Sequence, residues 1–251
     1  MPTTVIDEKT VERSVDAEFA YKKLIYNESE NTWEDINKDE QSDKLDALEI
    51  YKEANDDNNI QINILSHKKD AGSGFQATLI EKTDSSGNIT KVITIAGMDI
   101  WEGKDQTAAT SISKGDVPGL QYKAMADFIT ELIDDHKISK ADNITMVGHS
   151  LGGTLTQLGL PSFSDYIDNA CTFNSPGAAK LTATADQATF WGWDSQTYLH
   201  FTEFAFNKNN VGDNGSYILI KPEETLTLPT SDLTGSFYIN DGGQSLFLLA
   251  A

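Results

Sequence analysis

In ITMVGHSLGGTLTQLGL, residues 144–160, an apolar run is broken by Gly148-His149-Ser150-Leu151-Gly152-Gly153 and then resumes at helical spacing. A buried strand that turns sharply into a helix at Gly-x-Ser-x-Gly can present its serine as a nucleophile. The turn holds Ser150 in a strained backbone conformation, which requires small residues two positions to either side, here Gly148 and Gly152. The same turn aims the N–H of Leu151 at a developing oxyanion, and the N-terminus of the following helix adds a favourable partial charge. The bare five-residue pattern also occurs in ordinary Gly-rich loops. What lifts this instance is its setting, with an apolar strand before it and an amphipathic helix after it.

Working outward, the segments on both sides alternate between strand and helix. IQINILS (60–66), GFQATLIEK (74–82) and NITKVITIAG (88–97) read as strands, and the turn residues Asp84-Ser85-Ser86-Gly87-Asn88 predict an antiparallel hairpin between the last two. Residues 98–117 are too irregular to assign. Pro118 opens a helix running to about His136, with Leu120, Met125, Phe128, Ile129 and Leu132 on one side. Residues 143–147 form a short buried strand, and the helix from Gly152 is expected to stop at Pro161. YIDNACTFN, TYLHFTEFAF (197–206) and SYILIK (216–221) read as further strands. Upstream, Val11, Val15, Phe19, Leu24 and Ile25 in 9–26, and Leu45, Leu48, Ile50 and Tyr51 in 43–55, predict two amphipathic helices. The rhythm is that of an α/β fold with a mainly parallel central sheet, flanking helices and one antiparallel hairpin. A single domain spanning 1–251 is expected, with a helical N-terminal extension (1–58), a core (60–221) and a C-terminal segment (222–251).

Composition narrows the function. With 39 acidic against 19 basic residues the formal net charge is −20, and no block of Lys and Arg reverses the sign locally, so nucleic acid is not an expected partner. No apolar run approaches the roughly 18 residues needed to span a bilayer, so no transmembrane segment is expected. The N-terminal MPTTVIDEKTVERSVDAEF lacks a basic start and an apolar centre, which leaves a cytoplasmic protein or one exported without a signal peptide; the apolar SLFLLAA at the other end hints at the second. Cys171 is the sole cysteine, excluding an internal disulfide, and reads as a small core residue.

VGHSLGGTLTQLGL followed by DNACTFNSPGAA resembles the class 3 lipase group of α/β-hydrolases, which includes the lipase-like domains of bacterial phospholipases and polyesterases. The upstream GFQATLI and ITKVITIAGMDIWEGKDQTAA are similar to that family's paired strands and Asp-containing loop, so the resemblance spans about 70–220. It implies a serine hydrolase of carboxylic esters, with lipid or phospholipid acyl esters as substrate. It makes Ser150 the nucleophile, Leu151 one oxyanion donor and Met98, where the family has Thr or Ser, the second. His149 is structural by the same likeness.

The family's acid follows in NKNNVGDNGSYILI; laying Val211 and Gly215 on the pattern puts Asn209 at the acid position, and Asp213 is the carboxylate nearby. The expected chain order is Ser, acid, His. The four histidines, His67, His136, His149 and His200, all precede Asp213. Of these His200 is the remaining base, from an unusual position in a strand. Two other accounts fit: the histidine belongs to chain not included here, or the fold has lost the chemistry and keeps a binding role. Phe190, Trp191 and Trp193 line either an acyl pocket or the core. DSSGN, DNG and NDGG lack the alternating spacing of a calcium loop, so no metal and no cofactor are expected.

Overall fold

The structure is a computed structural model that describes residues 8–21, 24–29, 32–35, 60–97, 103–173, 175–178, 181–207, 217–220, 235–239 and 246–250. In chain order the first elements are α1 (Glu8–Phe19), β1 (Leu24–Asn27), β2 (Thr32–Asp35), β3 (Gln61–Lys69), β4 (Gln76–Thr83) and β5 (Ile89–Ile95). Then come α2 (Gly103–Ser113), α3 (Gly119–Asp134), β6 (Ile144–His149), α4 (Leu151–Ser162) and β7 (Asn169–Phe173). α5 (Ala185–Phe190), α6 (Ser195–Asn207), β8 (Tyr217–Ile220), β9 (Gly235–Ile239) and β10 (Leu246–Ala250) complete them.

The expected hairpin forms between β4 and β5, which pair antiparallel from Ala77–Ile95 to Thr83–Ile89. Asp84 builds its turn, accepting the N–H groups of Ser86 and Asn88 on Oδ1, while Gly87 takes φ 83°. β3 joins the other edge of β4, also antiparallel. From β5 onward the pairings with β6, β7 and β8 are parallel, giving a six-stranded mixed sheet in the order β3-β4-β5-β6-β7-β8. The class is α/β, with helices on both faces of the sheet.

Alternation along β6 assigns the two faces. Ile144 and Met146 enter the larger core with Met125, Phe128, Ile129 and Leu132 of α3 and with Leu155 and Leu158 of α4. Val147 belongs to the opposite layer with Ala17 and Phe19, which α1 lays across Ile80 and Val92, and Cys171 is buried there as expected. Lys82 fastens α1 to β4, its Nζ lying 2.6 Å from Glu12 and 2.9 Å from Asp16. Asp16 is buried, and burial pushes its carboxyl up to about 6 despite the Lys82 charge.

Three expectations are corrected. TYLHFTEFAF is helical, lying within α6. It buries Thr197, Phe201 and Phe204 while Leu199 stays 56% exposed, so the alternation that suggested a strand was only local. Asp194, directly before the helix, caps it by accepting the Thr197 N–H at 2.7 Å. Next, the helix expected over 9–26 ends at Phe19; Leu24 and Ile25 sit in β1, which pairs antiparallel with β2. The expected helix at 43–55 lies outside the described residues. Residues 103–113, too polar for an amphipathic signal, are helical. Finally, β3 runs beyond the expected strand of 60–66, through His67 to Lys69. In the C-terminal segment, β9 and β10 pair antiparallel, so Leu246–Ala250 of the apolar tail is a strand. No helix among the described residues is long and apolar enough to cross a membrane.

Candidate functional site

Ser150 is set where β6 ends and α4 begins, with φ 53° and ψ −122°. Among the described residues only it and His136 combine a side chain with positive φ. His136 closes the C-terminal end of α3, a place where the left-handed region is common. Ser150 has no such excuse, since it is the N-cap of α4, where serine ordinarily takes extended backbone and accepts a first-turn N–H. Here its side chain makes no capping bond. The hydroxyl is thus withheld from the helix at a backbone cost on the order of 1–3 kcal/mol.

Surrounding contacts hold that conformation. Ser150 donates its N–H to Phe173 O at 2.8 Å, and its own carbonyl accepts from Gly153 N at 3.0 Å. A Cβ on Gly148 would strike the Gly152 carbonyl and Thr156 Oγ1, and one on Gly152 would strike the carbonyls of Ile95 and Ala96. Both glycines are therefore required by close backbone approach. Leu151 opens α4, so its N–H has no intrahelical carbonyl to serve. Ser150 is partly exposed while Leu151, Gly152 and Gly153 beside it are buried.

The Ser-Pro-Gly loop after β7 is tied to the same helix. Gln157 Oε1 accepts the Ala178 N–H at 2.9 Å and its Nε2 donates to Ser175 Oγ at 3.2 Å. Ser175 Oγ also accepts the Gly177 N–H at 3.1 Å. Sequence reasoning found the elbow but not Gln157, which lies seven residues beyond Ser150 on α4, two helical turns along.

The histidines are dispersed. His149 lies on the α1 side of the sheet, buried, with Nδ1 2.8 Å from the Tyr21 hydroxyl and Nε2 without a hydrogen-bond partner among the described residues. Burial lowers its pKa, so the ring is neutral. His67 Nδ1 pairs with Thr78 Oγ1 at 2.8 Å, and burial brings its pKa down to about 4. His200 faces Ser162 at the far end of α4, its Nδ1 3.2 Å from that carbonyl and its ring stacked on Phe163 at 4.1 Å. Twelve residues of helix separate Ser162 from Ser150, roughly 18 Å at 1.5 Å per residue. The structure does not bring His200 to the serine. Met98 and Asp213 lie outside the described residues.

His200 instead lines a cavity of about 200 Å³ with Asp127, Glu131, Asp194 and Thr197 between α3 and α6. No group of His, Cys, Asp or Glu able to hold a metal is assembled among the described residues. The aromatic run divides. Trp193 packs on Tyr122 and Phe201, with Nε1 donating to Gly119 O at 2.8 Å, and Trp191 lies over Gly119 so closely that a Cβ there would enter its ring. Phe190, in contrast, is 83% exposed. Two of the three therefore pack, half-buried, against the core. No protein-family model matches the chain, and no curated protein matches it.

Proposed function

We propose that the chain is a serine hydrolase of the α/β-hydrolase fold that cleaves carboxylic esters through an acyl-enzyme on Ser150. The observation that carries this reading is the Ser150 backbone, φ 53° and ψ −122° at a strand-to-helix junction, with no capping bond from its side chain. The bonds to Phe173 and Gly153 hold that strain in place, and presenting the hydroxyl gives it a use. Ser150 Oγ attacks the carbonyl carbon, the alcohol leaves, and water releases the acid. The Leu151 N–H and the N-terminus of α4 take up the oxyanion charge. Met98 takes the role of second donor that the class 3 lipase resemblance gives it, Asp213, the carboxylate near the acid position at Asn209, serves as the acid, and lipid or phospholipid acyl esters are the substrate class by the same resemblance.

A second reading is favoured by the histidines. None of the four has a hydrogen bond to Ser150, and His200 is held at the other end of α4. A nucleophile and oxyanion hole without their imidazole retain only about 10³–10⁴-fold over water. On this reading the chain is a hydrolase-fold module that binds an apolar ligand or a partner. A fluorophosphonate probe separates the two. The enzyme reading expects covalent labelling of folded protein that is lost in Ser150→Ala and after denaturation in urea; a folded protein left unlabelled sinks it.

A further inference from the structure

Gly97 lies two residues beyond β5, and its neighbours are those of the elbow. A Cβ on Gly97 would lie 2.7 Å from the His149 carbonyl and 3.0 Å from Ser150 Cβ. The same point would lie 2.5 Å from the Tyr21 hydroxyl. A phenol oxygen from the N-terminal segment therefore stands beside the nucleophile's carbon frame, across 76 residues of sequence from Gly97.

That hydroxyl joins two groups. Gly97 N–H donates to it at 2.8 Å, and His149 Nδ1 lies 2.8 Å from it. Accepting from Gly97 uses one lone pair of the phenol, and its O–H can donate to the imidazole nitrogen. A phenol O–H is a stronger donor than an imidazole N–H, so the favoured order runs from Gly97 N–H to Tyr21 oxygen and from Tyr21 O–H to Nδ1. The neutral ring that burial imposes on His149 is the form that can accept.

The segment carrying Tyr21 is anchored independently. Phe19 and Ala20 are buried, Gln76 Nε2 donates to Ala20 O at 2.7 Å, and Lys82 holds Asp16 one turn and more upstream. Tyr21 is 37% exposed while its hydroxyl is directed inward. Its bonds to Gly97 and His149 tie that end of the side chain to the elbow. They also act on the backbone that leads from Gly97 into Met98, the residue expected to supply the second oxyanion donor.

We propose that Tyr21 is a positioning residue of the Ser150 site, its hydroxyl fixing the Gly97 peptide and the His149 ring against the elbow. Its catalytic consequence rests on the reading of Ser150 as nucleophile. A placement error near 1 Å at an oxyanion donor costs up to about a hundredfold in rate, which sets the scale.

Tyr21→Phe keeps the ring and removes both bonds. Two measurements on the full chain test it. In ¹⁵N-detected NMR, wild-type His149 should carry its proton on Nε2 with Nδ1 as acceptor, and Tyr21→Phe should shift both Nδ1 and the Gly97 amide and speed exchange of that amide. In fluorophosphonate labelling, the maximal inactivation rate should fall ten- to a hundredfold with the half-saturating probe concentration unchanged. A merely structural tyrosine would lower the melting temperature and leave that rate alone.

An Nδ1–H tautomer in the wild type, unshifted His149 and Gly97 signals in the variant, or labelling at the wild-type rate overturns the proposal. Wild-type protein that takes no label refutes the hydrolase reading, and the NMR measurement still decides whether Tyr21 holds Gly97 and His149. A variant that does not fold leaves the wild-type tautomer as the deciding observation.

Discussion

Replacing Asp16 with Asn tests how the N-terminal helix is held over the sheet, and thus how Tyr21 reaches the serine. Asp16 is fully buried, faces Lys82 at 2.9 Å with Glu12 and Arg13 near by, and burial raises its carboxyl from 3.8 to about 6. A group whose pKa is raised by folding binds its proton more tightly in the native state. Its contribution to stability is therefore complete below pH 3.8 and is lost as pH climbs through 6. At 1.36 kcal/mol per unit the whole loss is about 3 kcal/mol. Near its pI of about 4.4 the protein carries little net charge and association is favoured, so the useful window opens at pH 5. Between pH 5 and pH 7.5 the linkage integral for the 3.8-to-6 shift leaves about 1.4 kcal/mol. Urea unfolding of wild type and Asp16→Asn across that window should show their stability difference changing by about this amount, the wild type losing relative stability as pH rises. Parallel curves, or a difference of opposite sign, would refute the reasoning. They would mean that Lys82 outweighs burial and that Asp16 is already ionised at pH 5.

His200→Ala removes a ring that bonds the Ser162 carbonyl and stacks on Phe163; stability should fall by about 1 kcal/mol with fluorophosphonate labelling of Ser150 within twofold of wild type. A tenfold loss of labelling at unchanged stability would place His200 in the serine's chemistry after all. Trp193→Ala should cost about 3–5 kcal/mol in denaturant unfolding, since it empties a site against Tyr122 and Phe201 and removes the indole bond to the Gly119 carbonyl. Phe190→Ser, three residues away and 83% exposed, should stay within about 0.5 kcal/mol; equal costs for the two would contradict the division of the aromatic run.

The parts of the fold legible in the sequence are those whose signal is local. The β4–β5 hairpin follows from Asp84 and Gly87 in one five-residue turn, and β6 with α4 follows from an apolar run broken by glycines. The strand reading of α6 comes from alternation over Leu199-His200-Phe201 alone, and the three-residue step from Phe201 to Phe204 already breaks a two-residue period. The deciding signal was the capping aspartate, Asp194, which accepts the third helical N–H and has no comparable use before a strand. β1 was lost for the opposite reason. Leu24 and Ile25 extend the helical spacing of α1 by coincidence, and only pairing with Thr32–Asp35 reveals the turn of the chain.

The site divides along the same line. Ser150, Leu151 and the two required glycines are specified by a strand, a turn and a helix that are contiguous in sequence, so the stretch 148–152 carries the elbow's geometry. The hold on that geometry is not contiguous. Tyr21 meets His149 across 128 residues, and Gln157 reaches the loop at Ala178 from the middle of α4. Neither residue type is unusual in its own neighbourhood, so no local pattern could single it out. The histidine question shows why proximity in sequence misleads in both directions. His149 is covalently next to Ser150, yet alternation along β6 sends it to the α1 layer, where a tyrosine and not the serine receives it. His200 is 50 positions on, and its helix brings it back to α4 at the end opposite the nucleophile. A base for Ser150 would have to enter from the exposed side of the elbow, above the ends of β5 and β6, whereas the rings of His67, His149 and His200 are held by Thr78, Tyr21 and Ser162, and His136 closes the end of α3.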